Sequence, residues 1–175
     1  MDIGYDNDSD AVESGKKIHF RRSIERIDAD LVLFMDVLEH VDDDIGFLNG
    51  YVEKMPQGAR FLISVPAFQF LWSAHDVFLE HKRRYQLHQI EDVACHAGLV
   101  IVKGIYYFGA VFPIAAAIRL FSWKLTNGKA PIHSQLSRHH SLVNSTLAGL
   151  CRLELPLMRF NRAVGLSAFC LAEKT

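Results

Sequence analysis

Two short stretches of this chain carry the residue types that do chemistry. The first, Asp36-Val37-Leu38-Glu39-His40-Val41, follows directly on the apolar run Leu31 to Met35. An imidazole titrates near neutrality, so His40 can take a proton from an acceptor hydroxyl as its oxygen attacks; ordering the turn is the alternative role. The second, Asp76-Val77-Phe78-Leu79-Glu80-His81-Lys82-Arg83-Arg84-Tyr85, gathers two carboxylates, an imidazole, three cations and a phenol within ten residues. His81, Arg84 and Tyr85 suit an anionic or hydroxylated ligand, with Arg84 supplying forked donors. The competing reading is that Asp76 pairs with an arginine and pins the loop.

Something must hold these stretches in place. Five apolar residues, Leu31 to Met35, lie between Asp30 and Asp36 and predict a strand buried on both faces, as in a parallel sheet covered by helices. In open α/β sheets the functional crevice lies outside the carboxyl ends of the strands, which puts Met35 to Val41 at a site. Ile45, Leu48, Tyr51 and Val52 predict a helix over 45–54, ended by Pro56 and Gly58. Asp42, Asp43 and Asp44 fit its N-terminus, where carboxylates cap exposed N–H groups, so no metal is expected there. Arg60 to Pro66 predicts a second buried strand, Gln86 to Ala97 a helix capped by Gly98, and Leu99 to Tyr107 and Leu166 to Ala172 further strands; Lys17 to Phe20 is a short strand candidate. Alternation of this kind points to a parallel-sheet α/β domain.

With 175 residues, half of them apolar, and a net charge of −1, the chain can bury one substantial core and exerts no global pull on nucleic acid. Charge is unevenly placed. Residues 1–58 hold 14 acidic and 6 basic side chains, whereas 59–175 hold 6 acidic and 13 basic. Cys95, Cys151 and Cys170 lack CxxC spacing and read as reduced thiols of a cytoplasmic protein. A zinc site from His75, His81 and His88 fits no familiar spacing. The run from Ile105 to Leu125 is nearly all apolar, but Pro113 starts a helix in it and Arg119 and Lys124 break it, which argues against a membrane span.

The wording "DLVLFMDVLEHVDDD" resembles the fourth strand and following turn of class I S-adenosylmethionine-dependent methyltransferases, in particular the broad group that includes ubiquinone-type O-methyltransferases. The stretch Asp76 to Tyr85 resembles that family's "D-x-x-x-G-H-x-R-R-Y", with Glu80 where glycine is usual. The resemblance implies a Rossmann-like sheet flanked by helices, whose last strand inserts antiparallel between its neighbours. It also implies a glycine-rich loop after the first strand. None of the 11 glycines forms a GxG arrangement, so the chain reads as a single, N-terminally truncated methyltransferase domain over 1–175, lacking its first strand and that loop.

Carried over residue by residue, the resemblance makes Asp2 the ribose acid, Ser23 and Ile24 the adenine-contacting segment, and Met35, Asp36 and Leu38 the strand end that meets the cofactor, S-adenosyl-L-methionine. His40 and His81 become the catalytic candidates, Arg84 and Tyr85 the substrate-binding ones. Residues 110–164 correspond to a helical cap inserted before the last strand. Residues 119–162 hold seven Arg or Lys, three His and a single acid, Glu154. Such basic, apolar helices fit peripheral contact with an anionic membrane or a lipid-linked acceptor, or else a packed lid with solvated basic faces. The implied activity is methyl transfer to an O or N nucleophile of a small or lipid-linked acceptor, with this truncated chain expected to be inactive. Alternatives from other classes are a non-catalytic binding or scaffold protein that keeps the fold, and a membrane-surface module.

Overall fold

The computed structural model describes residues 28–126 and 141–175 together with the strand backbone at 11–12 and 19–20; side chains are described for 28–121 and 143–175. Its sheet is organised by β4 (Arg60–Pro66), whose Phe61, Ile63 and Val65 share one face by the two-residue strand period and are fully buried. Strand β3 (Leu31–Met35) runs parallel beside it, with Leu31 opposite Arg60 and Met35 opposite Ser64. On the other side β6 (Ser167–Glu173) runs antiparallel to β4, and β5 (Val100–Tyr107) pairs antiparallel with β6. The order is β3-β4-β6-β5, so the strand that closes the chain lies reversed between two strands that precede it. Strands β1 (Ala11–Val12) and β2 (His19–Phe20) form a separate antiparallel pair.

Helices α1 (Asp44–Val52) and α3 (Leu87–His96) supply the core side chains that meet the face of β4. Leu48, Val52, Leu87, Ile90 and Ala94 join Phe34, Phe61, Ile63, Ala168 and Cys170 in one cluster, each large side chain contributing about 1.5–3 kcal/mol by leaving water. The Phe34 ring meets Tyr51 edge-on at 5.1 Å. Contrary to the burial on both faces that the apolar run predicts, β3 is buried on one face only. Phe34 is buried, but Leu31, Leu33 and Met35 on the opposite face are 51%, 57% and 45% exposed, because the described residues leave that face of the outer strand open. A continuous apolar run reads the same whether its second face is covered or not.

Between β4 and α3 lies a short helix, α2 (Ala74–Phe78). It starts with a capping box: Ser73 Oγ accepts from the His75 N–H, and Asp76 Oδ2 accepts from the Ser73 N–H at 2.8 Å. Its end and the end of α3 use the same backbone device. After α3, Gly98 (φ +89°) donates to Cys95 and Leu99 to Ala94, both at 3.0 Å; after α2, Glu80 (φ +58°) donates to Val77 at 3.1 Å and His81 to Asp76 at 3.0 Å. Each is a Schellman closure, which needs a left-handed residue and prefers glycine there. Glu80 in place of glycine therefore keeps the turn and adds strain. In the long insertion between β5 and β6, α4 (Phe112–Thr126) and α5 (Ser141–Met158) lie within the expected cap.

Glu80→Gly should raise stability by about 1 kcal/mol, since glycine escapes the left-handed penalty. Urea unfolding of the two forms checks this, and a loss of stability would show that the Glu80 side chain has a compensating role.

Candidate functional site

The turn after β3 is built by Ser64 across the sheet. The Asp36 N–H donates to the Ser64 carbonyl at 3.0 Å and to Ser64 Oγ at 3.2 Å, while that hydroxyl donates to Asp36 Oδ1 at 3.1 Å. These contacts hold Asp36 at φ +54°, a conformation that costs a non-glycine residue energy and recurs at ligand sites. The chain then winds through one 3₁₀ turn, Leu38–His40, with the His40 N–H on the Val37 carbonyl at 3.1 Å. Leu38 and Glu39 are both fully buried, whereas His40 is exposed and Met35 is half-exposed at the strand end. Leu38, expected to pack on a cofactor, sits in the hydrophobic core instead.

The second loop is fixed by a buried carboxylate. Asp76 is fully buried and receives Arg84 through both oxygens, Nε to Oδ1 at 2.7 Å and Nη2 to Oδ2 at 3.0 Å, while His81 Nδ1 lies 3.0 Å from Oδ1. Burial pushes the Asp76 carboxyl up, but hydrogen bonds and charge from Arg84, with His81 and Ser73, outweigh it and hold it below the ordinary value. Arg84 Nη1 also donates to the Ala67 carbonyl at 3.2 Å. The Tyr85 side chain is buried; its hydroxyl donates to Asp44 Oδ2 at 2.8 Å and lies 3.2 Å from the Leu38 carbonyl. Burial and the Asp44 carboxylate raise its ionisation well above the ordinary phenol value. In this structure Arg84 and Tyr85 are therefore struts between the loops, their polar atoms already occupied, rather than groups presented to an acceptor. The reading that Asp76 pairs with an arginine and pins the loop is borne out by Arg84, whereas the spacing carried no sign of the Tyr85 contacts, whose partners Asp44 and Leu38 are about forty residues away.

The two loops meet. The Lys82 N–H donates to the Glu39 carbonyl at 2.7 Å, and the His40 and His81 rings stand edge to face with centroids 4.8 Å apart. Glu39, His40 and His81 each offer a ligand atom, and these atoms lie within 4.8 Å of one another. Among the described residues neither Glu39 carboxylate oxygen has a hydrogen-bond partner. Burial pushes this carboxyl up to about 7; its own backbone N–H opposes the shift, Asp36 adds to it and Arg84 again opposes it. A carboxyl titrating near neutrality between two imidazoles can store and pass a proton, and the same three donors suit a first-row divalent cation. The Nδ1–Asp76 contact at 3.0 Å fixes the orientation of the His81 ring.

Glu39 is the site residue that sequence reasoning missed. An acid in a turn reads as solvated, and its burial comes only from the second loop closing over it. Of the neighbouring aspartates, Asp43 caps α1 by accepting from the Gly46 N–H at 2.9 Å, and Asp44 pairs with Arg83 at 3.2 Å, which bears out the capping reading for Asp43. Asp2, Ser23 and Ile24 lie outside the described residues.

Neither a protein-family model nor a curated protein sequence matches the chain. Similar solved structures include a SAM-dependent methyltransferase from Archaeoglobus fulgidus, 14% identical with a TM-score of 0.47, covering 86% of this chain and 62% of that one. Another is phosphoethanolamine N-methyltransferase 2 of Haemonchus contortus in complex with S-adenosyl-L-methionine, 16% identical with a TM-score of 0.42, covering 83% and 33%. The chain thus spans between a third and about three-fifths of the length of these structures.

Because the folded Glu39 carboxyl titrates above its unfolded value, the folded state binds the extra proton, and its stability falls as pH rises from about 4.5 to about 7. Glu39→Gln removes that dependence. Its stability advantage over the parent should grow from a few tenths of a kcal/mol at about pH 4.5 to about 3 kcal/mol at about pH 8. Urea unfolding at the two pH values measures the gap, and a pH-independent gap would refute the assignment.

Proposed function

We propose that this chain is part of a class I S-adenosylmethionine-dependent methyltransferase, acting on an O or N nucleophile of a small or lipid-linked acceptor. The observation that carries this reading is the meeting of two histidine-bearing loops at the carboxyl end of β3, in a sheet whose closing strand is reversed between β4 and β5. In an α/β sheet that is the ligand crevice. The sequence resemblance at Asp36–His40 and at Asp76–Tyr85 falls on these same two loops.

S-adenosyl-L-methionine, when bound, supplies an electrophilic sulfonium methyl. The residues present suit such a group: Met35 offers half-exposed apolar surface beside the strained Asp36 turn, and the partnerless Glu39 carboxylate suits a neighbouring positive charge. With the cofactor bound, an imidazole nitrogen of His40 would take the proton from an acceptor hydroxyl or amine held at this turn. His81, oriented by Asp76, is placed to relay that proton or to hold the acceptor hydroxyl. Catalysis of this type is mostly positioning and deprotonation. The second reading, a non-catalytic scaffold with the same fold, is favoured by the absence of any GxG arrangement among the 11 glycines.

NMR titration of the chain with S-adenosyl-L-methionine separates the two. The expected result is weak binding, around millimolar or about −4 kcal/mol, with resonance shifts centred on Met35–His40. Shifts elsewhere, or none at several times that concentration, would leave the scaffold reading. Micromolar affinity would show that the glycine-rich loop is dispensable here.

A further inference from the structure

The two cap helices are amphipathic in the wrong sense for a water-facing lid. On α4 the outward positions Ile114, Ile118 and Phe121 recur at helical spacing and are 51%, 58% and 66% exposed, joined by Leu120. The charged residue of its described part, Arg119, lies on the half-buried side, where burial lowers its pKa and Arg84 and Asp76 are its electrostatic neighbours. Helix α5 repeats the inversion. Leu153, Leu157 and Phe160 follow one outward stripe at 74%, 67% and 72% exposure, while Glu154 is turned inward and accepts from the Gly109 and Ala110 N–H groups at 2.7 and 3.2 Å. Water-facing helices carry charge outward and Leu, Ile and Phe inward.

We propose that this cap lies on an anionic lipid bilayer, with the α5 stripe entering the headgroup boundary and Arg152 and Arg159 meeting lipid phosphates. The charge distribution selects this occupant. Between residues 110 and 162 there are seven Lys or Arg, and the one acid, Glu154, is spent on backbone N–H groups inside. Arg152 and Arg159 are exposed and each adjoins an exposed apolar side chain, Arg152 next to Leu153 in α5 and Arg159 next to Phe160 in the turn just past the helix end. The Arg159 guanidinium sits 4.6 Å from the Phe160 ring centre, so cation and aromatic form one interfacial unit. An apolar stripe edged by arginines is the pattern of a helix lying in a membrane interface. No helix of the described residues is long and apolar enough to cross a membrane. The inference stands apart from the methyl-transfer reading, since no cofactor contact enters it.

Co-sedimentation of the chain with phosphatidylcholine vesicles, with and without phosphatidylglycerol, tests it. Binding should require phosphatidylglycerol and fade as salt rises from about 0.1 M to about 1 M, which cuts the screening length from about 10 to about 3 Å. The double variant Arg152→Gln/Arg159→Gln should weaken partitioning about 25-fold, roughly fivefold for each arginine. Leu153→Ser/Leu157→Ser should weaken it while retaining the parent's circular dichroism, both leucines being exposed. Equal binding to neutral vesicles, or no vesicle binding by the folded parent, overturns the proposal. So does a concentration-dependent dimer in light scattering that the same leucine substitutions abolish, which would make a second copy the occupant.

Discussion

Asp76 is the constraint on which the two-loop site depends. A carboxylate taken wholly out of water must be matched by donors, and removing one partner of such a buried pair costs about 3–5 kcal/mol. Its oxygens receive the Arg84 fork, the Ser73 N–H and hydroxyl, and the Asp76–His81 contact at 3.0 Å. These bonds cap α2, tie the loop through Arg84 to the Ala67 carbonyl beyond β4, and fix the His81 ring. One desolvated charge thereby converts a polar connection of mixed sequence into a rigid wall.

That wall makes Glu39 chemically unusual. With the loop in place, the Lys82 N–H caps the Glu39 carbonyl and the Tyr85 hydroxyl reaches Asp44 near the Leu38 carbonyl, and Leu38 and Glu39 are fully buried. The strong anion, Asp76, is satisfied and stays ionised; the weak one, Glu39, is unsatisfied and holds its proton toward neutrality. Two carboxyl groups with opposed environments a short distance from two imidazoles are the arrangement from which acid and base roles separate.

Stability and exposure are distributed to match. The core is one-sided: α1 and α3 pack with Phe61, Ile63 and Cys170, while Leu31, Leu33 and Met35 face outward from the described sheet. Helices α4 and α5 likewise turn large apolar side chains outward, while Glu154 is turned inward onto the Gly109 and Ala110 N–H groups.

By itself the sequence determined the α/β class, the strands at Leu31–Met35 and Arg60–Pro66, the α3 helix, the Asp43 cap and the two chemically loaded stretches, because each follows from local periodicity, capping chemistry or motif spacing. It did not determine how those stretches use their residues. Arg84 and Tyr85 carry donors that suit a ligand or an internal partner alike; the sequence left the Asp76–arginine pair as one of two readings and gave no sign of Asp44, and the folded structure commits both donors internally. Glu39 looks like any solvated acid until a loop about forty residues later covers it. Open or covered faces of β3, and inward or outward faces of α4 and α5, are equally invisible in a one-dimensional pattern. Periodicity assigns residues to a face, whereas burial, and with it pKa and reactivity, belongs to whatever the rest of the chain packs against that face.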